Sequence, residues 1–116
     1  MQLAADCIYD DELSARFFDT AEKLLLGRGS ADAPAPRPMR RLVMALEKRV
    51  NFELEAMAVV AHGYAYFRAQ ICGCTGGGEC ECAGRFVGRQ IELDTVPQKF
   101  VYDRGSSLEL WELTLK

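Results

Sequence analysis

The fold prediction depends mainly on residues 39–71, which read MRRLVMALEKRVNFELEAMAVVAHGYAYFRAQI. Apolar side chains recur there at steps of three and four residues, which is the spacing of one face of an α-helix. That face comprises Leu42, Val43, Leu46, Val50, Leu54, Met57, Val60, Ala61, Tyr64 and Phe67. The pattern predicts one long helix of about 50 Å at 1.5 Å per residue. Such a helix exceeds the span of a compact domain of this size, so we expect a bend at Gly63 or packing against another chain.

The segments on either side predict a helix before and strands after. From Asp11 to Gly27 the apolar residues again follow the helical spacing, and Gly27 is suited to the C-terminal cap. After residue 85 the apolar residues alternate instead, which is typical of two or three antiparallel strands with a turn at 103–107. The last segment also allows a helix, because Ser106 and Glu109 form a capping-box pattern; we favour the strand.

The predicted fold class is therefore α+β: a helical hairpin with a long second helix, a four-cysteine metal loop and a small antiparallel β-sheet. We expect a single domain over residues 1–116, since about two thirds of the surface of such a chain can be buried. Within it we expect an N-terminal helical segment (1–27), a flexible linker rich in proline (28–38), the long helix (39–71), the metal-binding loop (72–82) and the β-hairpin or sheet (85–116).

Four cysteines stand close together in the stretch CGCTGGGECEC, residues 72–82. Four thiolates saturate tetrahedral zinc and leave no position for water or substrate, which is typical of a structural site. The glycines between the two pairs permit the tight reversal that such a loop requires. The predicted zinc ligands are Cys72, Cys74, Cys80 and Cys82.

The spacing of these cysteines leaves alternatives open. Two Cys-x-Cys pairs also suit an iron-sulfur cluster or Cu(I), and disulfides or uncomplexed thiols are further interpretations. A reactive thiol is disfavoured at Cys72, because the predicted helix would place it at a C-terminus, where the helix dipole disfavours negative charge.

Two further groups of residues suggest surfaces that bind other molecules. The basic residues at the start of the predicted long helix could contact phosphates of a nucleic acid; they are Arg37, Arg40, Arg41, Lys48 and Arg49. The aromatic and apolar residues farther along exceed what one helix face can bury, which suggests a protein partner or a homo-oligomer. The expected interface comprises Phe52, Met57, Tyr64, Tyr66 and Phe67.

Composition and charge give ordinary limits. The chain is 49% hydrophobic and 27% charged with a formal net charge of −3, which provides no general basic field for nucleic acid or anionic lipid. The sequence shows no apolar run long enough to span a bilayer and no signal peptide, so we expect a cytoplasmic protein without membrane contact.

The function predicted from these patterns is a small, non-enzymatic, zinc-stabilised interaction protein, such as an accessory subunit or adaptor. We find no nucleophile elbow, phosphate-binding glycine loop or paired-carboxylate motif that would indicate an enzyme. The alternatives are a nucleic-acid-binding regulator that uses the basic helix, and a metal-handling or iron-sulfur electron-transfer protein.

Overall fold

The structure is a computed structural model, and it describes residues 1–8, 11–27, 39–48, 51–53, 58–60, 62–72, 82–105 and 107–116. Its main feature is a five-stranded mixed β-sheet with two helices on one face. In chain order the elements are β1 (Gln2–Ala5), α1 (Asp11–Leu26), β2 (Leu42–Glu47), β3 (Asn51–Glu53), β4 (Ala58–Val60), α2 (His62–Gln70), β5 (Ile71–Cys72), β6 (Phe86–Ile91), a short 3-10 helix (Leu93–Thr95) and β7 (Leu108–Leu115).

The strands of the main sheet lie in the order β1-β2-β7-β6-β5, and β3 pairs with β4 in a separate two-stranded sheet. β1 is parallel to β2, and β5 is parallel to β6. β7 is antiparallel to both of its neighbours, β2 and β6. Four strands of the sheet therefore run in one direction, and β7 runs between them in the other.

Helix α1 connects the parallel strands β1 and β2, as such a pair requires a crossover rather than a tight turn. Asp11 and Glu12 lie in its first turn, where negative charge is favourable. The helix ends at Gly27, whose φ of 68° is left-handed and whose N–H donates to the Lys23 carbonyl at 3.1 Å. This is the αL type of C-terminal cap, so the first helix and its glycine cap are as the sequence predicts.

The core lies between the sheet and the two helices. Its centre is aromatic: the ring centroids of Phe18 and Phe67 lie 6.2 Å apart, those of Phe18 and Phe86 5.7 Å, and those of Phe67 and Trp111 5.4 Å. Fully burying a large apolar side chain contributes about 1.5–3 kcal/mol. The buried apolar set comprises Phe18, Ala21, Leu25, Leu42, Met44, Leu46, Phe67, Phe86, Trp111 and Leu113.

The long second helix predicted over residues 39–71 is wrong. The described part of this stretch forms β2, β3, β4, the nine-residue helix α2 and β5. The physical reason is an ambiguity of period, because Leu42, Met44 and Leu46 also alternate and are buried on one face of β2. The predicted arrangement, a helical hairpin followed by a metal loop and a small antiparallel sheet, is therefore incorrect, although helices and strands do coexist in the chain.

The C-terminal part agrees with the prediction in one respect and departs from it in another. Residues Leu108–Leu115 form a strand, as favoured over the helical alternative, with Glu109, Trp111 and Leu113 buried on one face. One partner of this strand is β6, and the connection from Ile91 to Leu108 is much longer than the predicted turn at 103–107. The predicted linker at 28–38 lies outside the described residues.

The core position of Phe67 predicts a large loss of stability on truncation. We expect Phe67→Ala to lower the free energy of unfolding by about 3–5 kcal/mol, because it removes a ring that is 0% exposed and contacts both Phe18 and Trp111. The matched control is Phe100→Ala, since Phe100 is 79% exposed and its loss should change stability by less than about 0.5 kcal/mol. Equal effects of the two substitutions in denaturant titrations would contradict this packing.

Candidate active site at the carboxyl edge of the sheet

The direction of the strands brings the ends of several strands to one edge of the sheet. The carboxyl ends of β1, β2 and β6 meet there with the amino end of β7, as the pairs Ala5↔Ala45, Glu47↔Leu108 and Ile91↔Leu110 show. We call this the carboxyl edge. In open α/β sheets, ligands bind outside the carboxyl ends of parallel strands, so this edge is the expected ligand-binding region.

Asp6 follows β1 at the carboxyl edge in an unusual backbone conformation. Its φ is 52°, and it is the one non-glycine residue of the described chain with positive φ. Its N–H donates to the Ala45 carbonyl at 3.1 Å, which ties the turn to β2. The next residue, Cys7, donates from Sγ to the Ala5 carbonyl at 3.1 Å. Positive φ is uncommon outside glycine, and residues held in such sparsely populated conformations cluster at functional sites.

Glu109, the second residue of β7, is the buried charged group of the carboxyl edge. It is 7% exposed, and its carboxylate accepts hydrogen bonds from three side chains. Lys48 Nζ lies 2.8 Å from Oε1, the Tyr64 hydroxyl lies 3.3 Å from Oε1, and Trp111 Nε1 lies 2.8 Å from Oε2. These bonds join the end of β2, the start of α2 and the middle of β7 at one carboxylate.

Cation contacts with aromatic rings extend this cluster. The Lys48 ammonium lies 4.9 Å from the centre of the Tyr64 ring, and the Arg68 guanidinium lies 4.9 Å from that of Trp111. Both distances are within the range of favourable cation-π attraction. Two of the donors to the Glu109 carboxylate, Tyr64 and Trp111, thus each lie next to a positively charged side chain.

The hydrogen bonds decide the protonation state of this cluster. Burial by itself raises the pKa of Glu109, but the bonds from Lys48, Trp111 and Tyr64 outweigh it and hold the pKa below the ordinary value of 4.5. The hydrogen bond to Glu109 raises the pKa of Lys48. Burial, followed by the contact with Glu109, raises the pKa of Tyr64. At neutral pH the cluster holds a carboxylate, an ammonium and a neutral phenol.

A cavity of about 490 Å³ opens beside this cluster at the carboxyl edge. Its lining is mainly polar and carries the carboxylates of Glu92, Asp94 and Glu109. The lining comprises Gln90, Ile91, Glu92, Leu93, Asp94, Leu108 and Glu109. Carboxylates accept hydrogen bonds and attract cations, so this space suits a ligand with hydroxyl groups or positive charge.

The structure describes two of the four predicted metal ligands, Cys72 and Cys82. Cys72, at the end of β5, is buried, and Cys82 is exposed. Lys116 Nζ lies 3.7 Å from Cys82 Sγ and 3.0 Å from the Cys82 carbonyl oxygen. Cys72, the Gly84 N–H and the Lys116 ammonium lower the pKa of the Cys82 thiol. Cys74 and Cys80 lie outside the described residues.

The described members of the basic set do not share a helix face. Arg40 donates to the Leu24 carbonyl at 3.1 Å near the end of α1, and Arg41 pairs with Glu112 at 3.0 Å. Lys48 is bound to Glu109. Arg37 and Arg49 lie outside the described residues, so the prediction of a nucleic-acid surface remains a prediction for that set.

The residues predicted to bind a partner occupy different environments. Phe67 is fully buried in the core, while Tyr64 and Tyr66 are half-buried against it. Phe52 belongs to β3, and Met57 lies outside the described residues.

The sequence interpretation missed Asp6 and Glu109 as candidate site residues. The available signals were an aspartate directly after the short apolar run of β1, and a glutamate within the apolar alternation of β7. Each signal is weak by itself, because neither segment carries a motif that marks it as part of a site.

Comparison with known proteins finds similarity to two curated proteins. Methyltransferase-like protein 22 of Mus musculus is 31% identical over 116 residues, which cover 98% of this chain and 26% of that protein. Methyltransferase-like protein 22 of Homo sapiens is 32% identical over 112 residues, which cover 95% of this chain and 24% of that protein. The chain thus spans about a quarter of the length of the curated relatives it matches. No family model and no solved structure matches it.

These relatives overturn the functional interpretation of the sequence. A non-enzymatic, zinc-stabilised adaptor or accessory subunit is wrong, because the similarity over nearly the whole chain is to proteins named methyltransferase-like. The same finding corrects the two alternatives, a nucleic-acid-binding regulator and a metal-handling or electron-transfer protein. It also corrects the expectation that the chain has no enzymatic role.

The predicted zinc cofactor, with its iron-sulfur and Cu(I) alternatives, is also corrected. Among the residues that the structure describes, no group of three or more His, Cys, Asp or Glu side chains could hold a metal ion. Within the described ranges, no helix has the length and apolarity needed to cross a membrane.

The lowered pKa of Glu109 predicts that the free energy of unfolding depends on pH in the acid range. A carboxylate with a depressed folded pKa stabilises the protein above its unfolded pKa, and this contribution disappears as the pH falls through the folded pKa. We therefore expect the free energy of unfolding to fall between about pH 5 and pH 2, and to fall less steeply in Glu109→Gln. At pH 7 the substitution should cost about 1–3 kcal/mol, because Lys48 loses its charged partner.

The control for this measurement is Glu12→Gln. Glu12 pairs with Arg16 at 2.7 Å, but both side chains are 76% exposed, so the change should be under about 1 kcal/mol. Glu112 retains its own acid dependence in both variants, because Arg41 and Arg89 lower its pKa. The free energy of unfolding is measured by urea titration at several acid pH values. If it falls with pH as steeply in Glu109→Gln as in the unmodified protein, Glu109 is not the source of the acid dependence.

Proposed function

We propose that this chain forms part of a methyltransferase that uses a donor of the S-adenosylmethionine type, and that the Asp6 turn lines its ligand site. The observation that supports this most directly is the left-handed Asp6 at the carboxyl end of β1. It stands at the position where open α/β sheets bind ligands. The name of the curated relatives supplies the class of reaction.

The described residues fit one side of such a donor. S-adenosylmethionine carries a positively charged sulfonium, an amino group and ribose hydroxyls, and these groups suit the carboxylates of the carboxyl edge. Asp6, Glu92 and Asp94 are the exposed members of that set. Among the residues lining the described cavity there is no aromatic ring on which adenine could stack. When bound, the donor would supply an electrophilic methyl group, while this chain would bind and orient one side of it.

The rest of the sheet is consistent with a larger assembly of strands. β1 lies at the sheet's edge, and Leu3 is 74% exposed on the face opposite the helices. Both helices pack on the other face, and parallel strands are usually covered on both faces. A further strand paired in parallel with β1 would bring its own carboxyl end beside Asp6. The remaining three quarters of the relatives' length could provide such a strand and the rest of the donor site.

Three expectations from the sequence carry over as proposals. They are the single-domain organisation of residues 1–116, the cytoplasmic location, and a protein partner or second copy bound without membrane contact. A partner that accepts the methyl group would satisfy the last of these.

The test is photo-crosslinking of S-adenosylmethionine labelled in its methyl group to the full chain. We expect label in the tryptic peptide 1–16, and we expect Asp6→Asn to reduce labelling at least about tenfold, since a tenfold effect requires a loss of about 1.4 kcal/mol of binding energy. Asn tolerates the left-handed conformation, so this variant removes the charge while it keeps the turn.

Two further substitutions distinguish the carboxylate from the backbone. Asp6→Gly also accepts positive φ and should fold normally while labelling poorly, whereas Asp6→Ala should lose about 1–2 kcal/mol of stability from backbone strain. Glu12→Gln should label normally. Undiminished labelling in both Asp6→Asn and Asp6→Gly would refute the role of Asp6, and absence of any donor binding would refute the proposed donor site on this chain.

A further inference from the structure

The connection between β6 and β7 carries an apolar surface at the carboxyl edge that the proposed donor site does not use. Three consecutive residues of this connection are exposed large apolar or aromatic side chains, namely Phe100, Val101 and Tyr102. Phe100 is 79% exposed, and Val101 is completely exposed. We call these three residues the apolar tip. A single exposed apolar residue is ordinary, whereas a contiguous exposed group is typical of an interaction site.

Hydrogen bonds within the connection hold the apolar tip in one arrangement. The Arg104 guanidinium donates to the carbonyl oxygens of Leu93 at 2.5 Å and Val96 at 3.0 Å. The same guanidinium lies 5.7 Å from the centre of the Tyr102 ring. Gln98 Nε2 donates to the Tyr102 carbonyl at 2.8 Å. The segments before and after the tip are thus tied together, and a surface that is already ordered loses less entropy when a partner binds.

The same bonds fix the apolar tip to the rim of the cavity at the carboxyl edge. Leu93 and Asp94 line that cavity of about 490 Å³, and the Leu93 carbonyl is one of the two that Arg104 holds. The tip residues themselves lie outside the cavity lining. Three residues reach at most about 10 Å. A ligand that contacts both the tip and the cavity must therefore extend along the surface, as a polypeptide segment does.

The charges beside the apolar tip indicate the chemistry of this ligand. Glu92, Asp94 and Asp103 are exposed carboxylates of the same connection, and Lys99 is the exposed cation of the described residues 92–105. Arg104 is only partly exposed and is bound to two carbonyl oxygens. The excess of negative charge opposes the phosphates of a nucleic acid and favours Lys or Arg side chains, because interfaces are complementary in charge.

We propose that the apolar tip is a docking surface for an extended, basic segment of another polypeptide. Apolar side chains of this segment cover Phe100 and Tyr102, while its cationic side chains pair with Glu92 and Asp94 at the cavity rim. Aromatic residues are enriched among the few that carry most of the binding energy at interfaces. The docking stands by itself; that the docked segment accepts the methyl group rests on the proposed function.

The experiment is selection of a displayed library of random peptides on the full chain in the absence of any methyl donor. Peptides of about twelve residues reach about 40 Å when extended, which is enough to contact both the tip and the cavity. We expect the enriched peptides to combine Lys or Arg with aliphatic or aromatic residues. Synthetic copies should bind Phe100→Ser/Val101→Ser at least about tenfold more weakly than the unmodified chain, by fluorescence anisotropy.

Matched variants separate docking from general effects. Leu26→Ser changes an apolar residue of α1 that is 58% exposed, and it should bind the peptides normally. Arg104→Lys keeps the charge but loses the planar fork that holds two carbonyls, so it should weaken binding about threefold with the tip side chains intact. The affinity should also fall as the NaCl concentration rises, because salt screens exposed charges.

Several results would overturn the proposal. They are equal peptide binding by the tip variant and the unmodified chain, enrichment of acidic peptides, and failure to enrich any peptide. Displacement of the peptides by random-sequence single-stranded DNA would assign the surface to nucleic acid instead. Self-association that light scattering detects in the unmodified chain and not in the tip variant would assign it to a second copy.

The outcome for the proposed function is read separately. Donor labelling of the peptide that contains Asp6 is measured without any acceptor peptide, and peptide docking is measured without the donor. Docking without donor labelling would refute the donor site and leave the docking surface in place. Donor labelling without docking would refute the docking surface alone.

Discussion

The arrangement of this chain depends on the insertion of β7 between β2 and β6. β7 pairs antiparallel along both of its sides, so its backbone is hydrogen-bonded in both directions. Its alternate residues bring Trp111 and Leu113 into the core against Phe67 and Met44. Because β7 joins the two halves of the sheet, neither the core nor the carboxyl edge would exist without it.

The same strand explains why a charged group is buried at the carboxyl edge. The register that buries Trp111 and Leu113 also places Glu109 on the inner face, since side chains alternate along a strand. The cost of burying that carboxylate is offset by the donors of Lys48, Tyr64 and Trp111. The requirement for these partners fixes the end of β2 and the start of α2 relative to β7. Packing and electrostatics therefore specify the same arrangement.

Prediction from the sequence succeeded where one period was unambiguous and failed where two periods overlapped. The helix α1 has a long amphipathic pattern and a glycine cap, and both appear in the structure. Over residues 39–71, the apolar residues of several short strands and a short helix together have a spacing that resembles one continuous helical face. The near-continuous run Leu42-Val-Met-Ala-Leu46 is typical of a strand in a parallel pair, and this signal favoured β2. The candidate site was less accessible, because Asp6 and Glu109 share one edge only through the strand order β1-β2-β7, which joins segments about 100 residues apart.

The pairing of β2 with β7 can be checked by measuring interstrand nuclear Overhauser effects in the isotopically labelled chain. We expect contacts between Met44 and Trp111 and between Leu42 and Leu113 across an antiparallel pair, together with parallel contacts between Leu3 and Val43. Contacts of the helical type, in which each residue of the stretch 42–47 contacts the residue three positions later, would contradict this pairing. In that case β2 would not exist, and the carboxyl edge with its Glu109 cluster would have no structural basis.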